Sequence, residues 1–354
     1  MTTKGTGRTV ALLLSGGGGR RLWPASTDDA PKQFLRLFDE RSLFQKTLAR
    51  LATVGIADIV IVANTRHEAL VRRQTAETGA AAPLLLLEPM RRDSAAAIAA
   101  GVEAIIARHG GDALVAVLPC DHLIPDAAHF AKALGEAAEL AALDRLVTFG
   151  IRPTFPSTEF GYIQRGAAIQ NHPNGYAVAQ FHEKPNRDVA ARYLASGDYF
   201  WNSGMFVFRA GEFVREANAH MPDISTAATN AVHHGHAEGD RIVLDEPAFA
   251  AARRASIDIA LFEKSERVGV VPVSFPWSDV GTWRSVYEAH QKDSAGNALV
   301  GNVLACEASN TLVISEGVKV VVVGVDELVV IASPQGVLVA PRSRASEVKD
   351  IIGD

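Results

Sequence analysis

The segment Ser15-Gly16-Gly17-Gly18-Gly19-Arg20-Arg21-Leu22-Trp23-Pro24 sets four glycines before two arginines. Glycines permit a tight turn and a close backbone approach, and a run of backbone N–H groups attracts negative charge, so phosphate is the guest that such a loop fits. Arg21 can grip phosphate oxygens bidentately, and Pro31-Lys32-Gln33 brings a second cation close behind it. Two fixed cations suit a polyphosphate. The alternative, a glycine turn flanked by solvated basic residues, is weakened by the pairing of the two segments. Two familiar phosphate loops do not match. The dinucleotide fingerprint wants a third glycine where Arg21 or Leu22 stands, and the Gly-Lys-Ser/Thr of a P-loop is absent. A dinucleotide-dependent oxidoreductase fails on the same ground.

Carboxylates are the second ingredient. Asp121 follows the apolar run Ala113 to Pro119, and ligands of parallel α/β sheets gather beyond the carboxyl ends of strands. Magnesium is held by one or two protein carboxylates together with substrate phosphates, which makes Asp279, in Trp277-Ser278-Asp279-Val280-Gly281, a partner for Asp121. Each aspartate taken alone reads as readily as a helix cap or a turn residue. Glu183-Lys184-Pro185 closes a short strand, since proline cannot donate to a ladder, and holds an acid and a base at the strand edge. An exposed ion pair is the competing reading there. Asn202, in Trp201-Asn202-Ser203-Gly204-Met205, is otherwise a turn asparagine, and His122 and His182 read as structural.

These residues need a scaffold. From residue 10 to about 150, short apolar runs (Val10 to Leu14, Ile59 to Val62, Leu84 to Leu87, Ala113 to Leu118) alternate with helical stretches near 68–77, 95–108 and 130–143. Such alternation predicts βαβ units and a parallel sheet buried on both faces. Between about 150 and 290, strands near Tyr162, Val178 to Phe181 and Met205 to Phe208 mix with an alanine-rich stretch from 210 to 265, read as insertions that complete a site. Beyond 290, β-branched runs separated by Gly, Asp, Pro or Ser predict a small all-β region packed on the rest. A six-residue β-helix repeat fits it only loosely.

The composition agrees with a folded, phosphate-handling protein. The 354 residues allow one large domain or two unequal ones, and 48% hydrophobic with 21% charged residues exclude disorder. A formal charge of −5 offers no general attraction for nucleic acid or an anionic membrane, so any phosphate site is local. Two cysteines, Cys120 and Cys306, make no disulfide framework, which fits a cytoplasmic setting. The run after Arg8 is too short for a signal peptide. Val318 to Ala340 is interrupted by charges, glycines and a proline, so no membrane span is expected.

Taken in order, these motifs resemble the sugar-phosphate nucleotidyltransferases, and within them the bacterial mannose-1-phosphate guanylyltransferases. The resemblance rests on Arg21 to Pro24, Pro31 to Leu35, Glu88-Pro89, Leu118 to His122, Gly161 to Ile163, Phe181 to Pro185, Trp201 to Phe206 and Trp277 to Trp283, and spans roughly residues 10 to 340. It implies an α/β fold: a Rossmann-like nucleotidyltransferase domain with a mixed, mainly parallel sheet over 1–290, and a β-rich, β-helix-like domain over 291–354. The phosphomannose isomerase domain of bifunctional members is not expected.

The implied reaction joins GTP and mannose 1-phosphate, with Mg²⁺ bound by Asp121 and Asp279, in a homodimer. Arg21, Lys32 and Asp121 are the implied catalytic residues. Leu14, Ser15, Gly16, Gly17, Gly19, Glu88, Ser94 and Ala95, with Arg21 and Lys32, would bind the nucleotide. Gly161, Tyr162, Glu183, Lys184 and Asn202 would bind the sugar phosphate: Glu183 on hydroxyls, Lys184 on the 1-phosphate, Gly161 and Tyr162 by backbone. Three positions depart from the family pattern. Thr27 stands for an arginine, Arg92-Asp93-Ser94-Ala95-Ala96 for Arg-Asn-Thr-Ala-Pro, and Glu159-Phe160 for Gly-Tyr in the run ending at Tyr162. They leave the reaction type intact and open the choice of base and sugar. A different nucleotide, a heptose or other hexose phosphate, or a non-catalytic nucleotide-sugar binding module are the alternatives.

Overall fold

Four apolar runs with no polar face become the centre of a sheet. They are Thr9–Ser15 (β1), Ile59–Asn64 (β2), Leu84–Glu88 (β3) and Leu114–Pro119 (β4), parallel and in the order β4-β1-β2-β3. The computed structural model describes residues 8–17 and 20–352. Strands buried on both faces cannot alternate in polarity, so their near-continuous hydrophobicity is what a parallel sheet between helical layers requires. The crossovers are α1 (Leu43–Thr53), α2 (Glu68–Thr78) and α3 (Asp93–His109), and α4 (Ala127–Ala141) follows β4. The chain moves outward from β1 to β3 and then returns to β1's other side, so the strand order reverses between β1 and β4. Such reversals leave a crevice at the carboxyl ends of the strands.

Seven further strands widen this sheet. Leu146–Ile151 (β5), Tyr162–Ile169 (β6), His172–His182 (β7), Tyr199–Arg209 (β8), His236–Glu238 (β9), Arg241–Val243 (β10) and Val268–Val273 (β11) complete the order β5-β11-β7-β6-β8-β4-β1-β2-β3-β10-β9. β8 runs antiparallel to both β4 and β5. Helix α5 (Arg187–Ser196) joins β7 to β8. The alanine-rich stretch is more than an insertion. It folds into α6 (Ala210–His220) and α7 (Pro222–His233), whose Phe213, Ala217, Ile224 and Ala228 share one buried cluster with Ile98, Val102 and Ile105 of α3. Small residues let these helices approach closely, which explains the composition.

The described chain divides into two compact units. One holds the large sheet, with Leu48–Cys120 and Ile124–Pro276 and the described residues up to Gly16; the other holds Gly17–Thr47, Asp121–Leu123 and the chain from Trp277 onward. In the second unit Ala298–Cys306 (β12), Leu312–Val323 (β13), Leu328–Ser333 (β14) and Gly336–Pro341 (β15) form a four-stranded sheet in chain order, parallel except for the final hairpin. Ala298 pairs with Leu312 and Leu312 with Val329, so the chain climbs one layer in 14 residues and the next in 17. That irregular climb is why a six-residue repeat fits poorly. The core of this unit joins Leu312, Val329 and Ile331 to Leu22, Leu37, Val280 and Trp283.

Candidate active site

The second unit gathers one cation and two aspartates. Lys32 opens a short turn, Lys32–Phe34, behind Pro31, and its Nζ lies 3.0 Å from Asp121 Oδ2. The same ammonium donates to the Asp279 carbonyl at 2.5 Å and to the Val280 carbonyl at 3.4 Å. Residues 247 apart in the chain thus meet on one nitrogen. Burial pushes the Asp121 carboxyl up, but Lys32 and then His122 more than offset it and hold the group ionised, below its ordinary value. His122 accepts a hydrogen bond at Nδ1 from Trp277 Nε1, 3.2 Å away, a structural task.

Asp279 is held by its backbone. A Cβ on Gly281 would fall 2.5 Å from Asp279 Oδ2, so the carboxylate lies directly over a residue that has no side chain. Val280 between them adopts φ +50°, a left-handed conformation that a β-branched residue rarely takes, and its side chain is fully buried in the core cluster, which fixes it there.

The Asp121 carboxylate and the Asp279 backbone meet on one ammonium, and the two aspartates carry the hard oxygen donors that suit a divalent cation taking its remaining ligands from phosphates and water. Among the described residues no cluster of three or more His, Cys, Asp or Glu forms a complete metal cage. Thr27, where the family pattern has arginine, closes the turn before Pro31: its hydroxyl accepts from Ala30 N at 3.1 Å. Arg21 is half-buried in the turn Arg20–Leu22.

Around the carboxyl ends of the central strands, the Leu14 carbonyl at the end of β1 accepts from Cys120 N at 3.1 Å, and Ser15 is buried beside it. Gly16 and Gly17 are exposed, and Gly19 lies outside the described residues. Glu88, the last residue of β3, is buried; burial and then the Asp93 charge push its carboxyl up to about 8. Ser94 and Ala95 are committed to the chain at 255–257: Ser94 Oγ accepts from Ile257 N at 2.9 Å, and Ala95 N donates to the Ala255 carbonyl at 3.2 Å. Asp93 pairs with Arg254 at 3.3 Å.

The large-sheet unit contains a second acid–lysine arrangement. Glu183 follows β7, and its Oε1 lies 2.9 Å from Lys184 Nζ. A Cβ on Gly161 would fall 2.6 Å from Glu183 Oε2, so this carboxylate too rests on a glycine. Lys184 takes φ +45°, and Glu183 N donates to Glu263 Oε1 at 2.8 Å. Burial pulls the Lys184 ammonium down, but Glu183, Asp258 and Glu159 together carry it above its ordinary value. Glu159, a departure from the family pattern, is therefore an additional negative charge on this lysine. Tyr162 is fully buried, with its phenol donating to the Ser157 carbonyl at 3.0 Å, so it offers backbone alone. Asn202 N donates to the Gly161 carbonyl at 2.8 Å, which sets Asn202 beside Gly161.

The structure therefore brings Lys32, Asp121 and Asp279 together in one unit and Gly161, Glu183, Lys184 and Asn202 together in the other. Sequence reasoning missed Asp258 and Glu263. Their stretch, 255–263, carries no local signal, because their partners are reached only through the tertiary fold. Elsewhere in the large-sheet unit an open cavity of about 560 Å³ is lined by Lys132, Arg152, Phe200 and Phe275 among others, and holds none of the residues named from the sequence. No described helix is long and apolar enough to cross a membrane.

Comparison with known proteins places the whole chain in one family. Residues 10–296 match the family model of the nucleotidyl transferases, and residues 301–354 match the MannoseP isomerase/GMP-like beta-helix domain. The xanthan biosynthesis protein XanB of Xanthomonas campestris pv. campestris (strain B100) is 42% identical over 344 residues, covering 97% of this chain and 72% of that protein. The mannose-1-phosphate guanylyltransferase RfbM of Salmonella typhimurium is 40% identical over 344 residues, covering 97% and 71%. A solved structure from Thermus thermophilus, described as a mannose-1-phosphate geranyltransferase, superposes with a TM-score of 0.86 at 34% identity, covering 98% of both chains. With a family model matched over residues 10–296, a second over 301–354 and a relative 40% identical across 97% of this chain's length, the chain belongs to the nucleotidyl transferase family, among the mannose-1-phosphate guanylyltransferases with a C-terminal β-helix domain.

Proposed function

We propose that the chain transfers GMP from GTP to α-D-mannose 1-phosphate, giving GDP-mannose and pyrophosphate. The observation that carries this reading is the Lys32 ammonium, which draws the Asp121 carboxylate and the Asp279 backbone to one point. An array of this kind suits a triphosphate and its metal. A phosphate oxygen of the sugar phosphate attacks the α-phosphorus in line; the bond from that phosphorus to the bridging oxygen breaks, and pyrophosphate leaves with the electron pair. The nucleophile is already ionised, so no general base is required. The protein contributes position and charge. Arg21 and Lys32 neutralise the triphosphate, and Lys184 orients the incoming sugar phosphate while Glu183 and Asn202 hold its hydroxyls. Asp121 and Asp279 would hold Mg²⁺, which supplies Lewis-acid neutralisation of phosphate charge.

Leu14, Ser15, Gly16, Gly17 and Gly19 would line the nucleotide by backbone. Glu88 faces the base in this reading, with Ser94 and Ala95, tied to 255–257, packed behind the pocket: the N1–H and N2–H₂ of guanine are two adjacent donors that a carboxylate meets bidentately. A homodimer and a cytoplasmic setting go with this reading. The test is pyrophosphate release with Mg²⁺ across GTP, ATP, UTP, dTTP and CTP against mannose, glucose, N-acetylglucosamine and heptose 1-phosphates. Turnover confined to GTP with mannose 1-phosphate is the expected result. Turnover with another pair alone would move the specificity to Thr27, Asp93 and Glu159, and silence from folded protein would favour a binding module.

A further inference from the structure

Asp258 belongs to none of the roles above, yet it sits in the same cluster. It opens a short helical turn, Asp258–Phe262, and its Oδ1 accepts from Asn202 Nδ2 at 2.7 Å. The orientation of the Asn202 amide is set by its own oxygen, which accepts from the Thr148 hydroxyl at 2.9 Å and from the Gly204 N–H at 3.3 Å. An inverted amide would point N–H at N–H. One N–H of the Asn202 amide thus goes to Asp258, and among the described residues Asn202 is the only side chain that donates to this carboxyl. A carboxylate has more acceptor sites than Asn202 Nδ2 and the Asp258 backbone N–H fill.

The charges around it are equally specific. Asp258 is partly buried and close enough to Glu183 for the two to repel, with Lys184 as an opposing cation and Glu159 adding a further negative charge on that lysine. Burial first, and then Glu183, push the Asp258 carboxyl up to about 7. A fold that needed only to orient Asn202 could use a neutral acceptor. Two crowded carboxylates that both retain acceptor capacity instead suit a ligand rich in hydroxyl donors, with an anionic group to draw Lys184 away from Glu183.

We propose that Asp258 is a sugar-binding residue that accepts a hydrogen bond from one ring hydroxyl of the sugar 1-phosphate, a hydroxyl different from the one taken by Glu183. The inference rests on reading this cluster as the sugar-phosphate subsite. It makes Asp258 a determinant of which sugar is accepted, since a site built to bond a hydroxyl discriminates strongly against an analogue that lacks it.

The experiment is steady-state kinetics of the full chain with GTP and mannose 1-phosphate, then with the 2-, 3-, 4- and 6-deoxy sugar phosphates, in wild type and Asp258→Asn. Asparagine retains an acceptor for Asn202 Nδ2 and replaces the other carboxylate oxygen by a donor. The expected result is a 10- to 100-fold loss of kcat/KM for mannose 1-phosphate, with KM for GTP within about twofold. In addition, a single deoxy analogue that wild type penalises should carry no further penalty in the variant. A purely structural role would weaken all analogues alike, and that outcome, or an unchanged kcat/KM for the sugar, overturns the proposal. Should Asp258→Asn not fold, Asp258→Glu replaces it: it keeps the charge and shifts it by one methylene, and the same single hydroxyl should lose its weight. A wild-type protein that turns over no sugar phosphate at all would remove the subsite reading itself, a failure separate from the first.

Discussion

The two acid–lysine clusters use the same backbone device with different anchors. In each, a carboxylate lies over a glycine, Asp279 on Gly281 and Glu183 on Gly161, and the residue after the acid is left-handed, Val280 at +50° and Lys184 at +45°. In the second unit that left-handed residue is buried in the core, and the lysine is a separate one, Lys32, held by Asp121, the Asp279 carbonyl and the Val280 carbonyl with its side chain 12% exposed. In the large-sheet unit the left-handed residue is itself the lysine, 56% exposed and paired with its own neighbour. One cation is built in, and the other, exposed, is paired with its own neighbour Glu183. Preorganised charge acts on the transition state, whereas exchangeable charge acts on binding.

That contrast predicts different kinetic signatures. Lys32→Met should lower kcat by roughly 10² to 10³. It also removes the cation that keeps Asp121 ionised, so the acid limb of the kcat/KM profile should move to higher pH; an unmoved limb would mean that Asp121 does not depend on Lys32. Lys184→Ala should instead raise KM for the sugar phosphate by about 10- to 100-fold and leave KM for GTP within about twofold, as expected for one lost charge-assisted contact. A fall in kcat with unchanged KM would erase the distinction between the clusters.

Glu88 tests the base end. Because its carboxyl stays protonated up to about 8, a carboxylate that accepts from guanine should make KM for GTP fall as pH rises toward 8 and level off above it, and Glu88→Gln should flatten the profile. A rise in KM over that range would show the protonated acid donating to the base instead. The smallest effect belongs to Glu159→Gly. Removing one exposed negative charge near Lys184 should lower KM for the sugar phosphate by at most about fivefold, less at high salt.

The central sheet was legible because its signal is local: the runs that became β1 to β4 are apolar without alternation, and the stretches near 68–77, 95–108 and 130–143 lie within α2, α3 and α4 or extend at most two residues beyond. Lys32, Asp121 and Asp279 were each marked by neighbours in the chain, although their meeting on one nitrogen is a product of the fold. Asp258 carries no such mark. Its partner Asn202 is 56 residues away, and its neighbours Ala255, Ser256 and Ile257 resemble the helical filler before them. The β12 to β14 climb was visible as β-branched runs, but its layers of unequal length hid the repeat.

The strands beyond residue 296 reach back to the beginning of the chain. Leu312, Val329 and Ile331 pack with Leu22 and Leu37, Ser333 Oγ donates to the Pro24 carbonyl at 3.1 Å, and the Trp23 ring lies on Gly336. The turn that presents Lys32 is therefore stitched on both sides to a module whose own family match begins only at residue 301. For recombination between relatives, the inheritable block is discontinuous. An exchange that swaps the β-helix without residues 17–47 would separate two halves of one hydrophobic core, and directed evolution across that seam would select for repacking before it could select for chemistry.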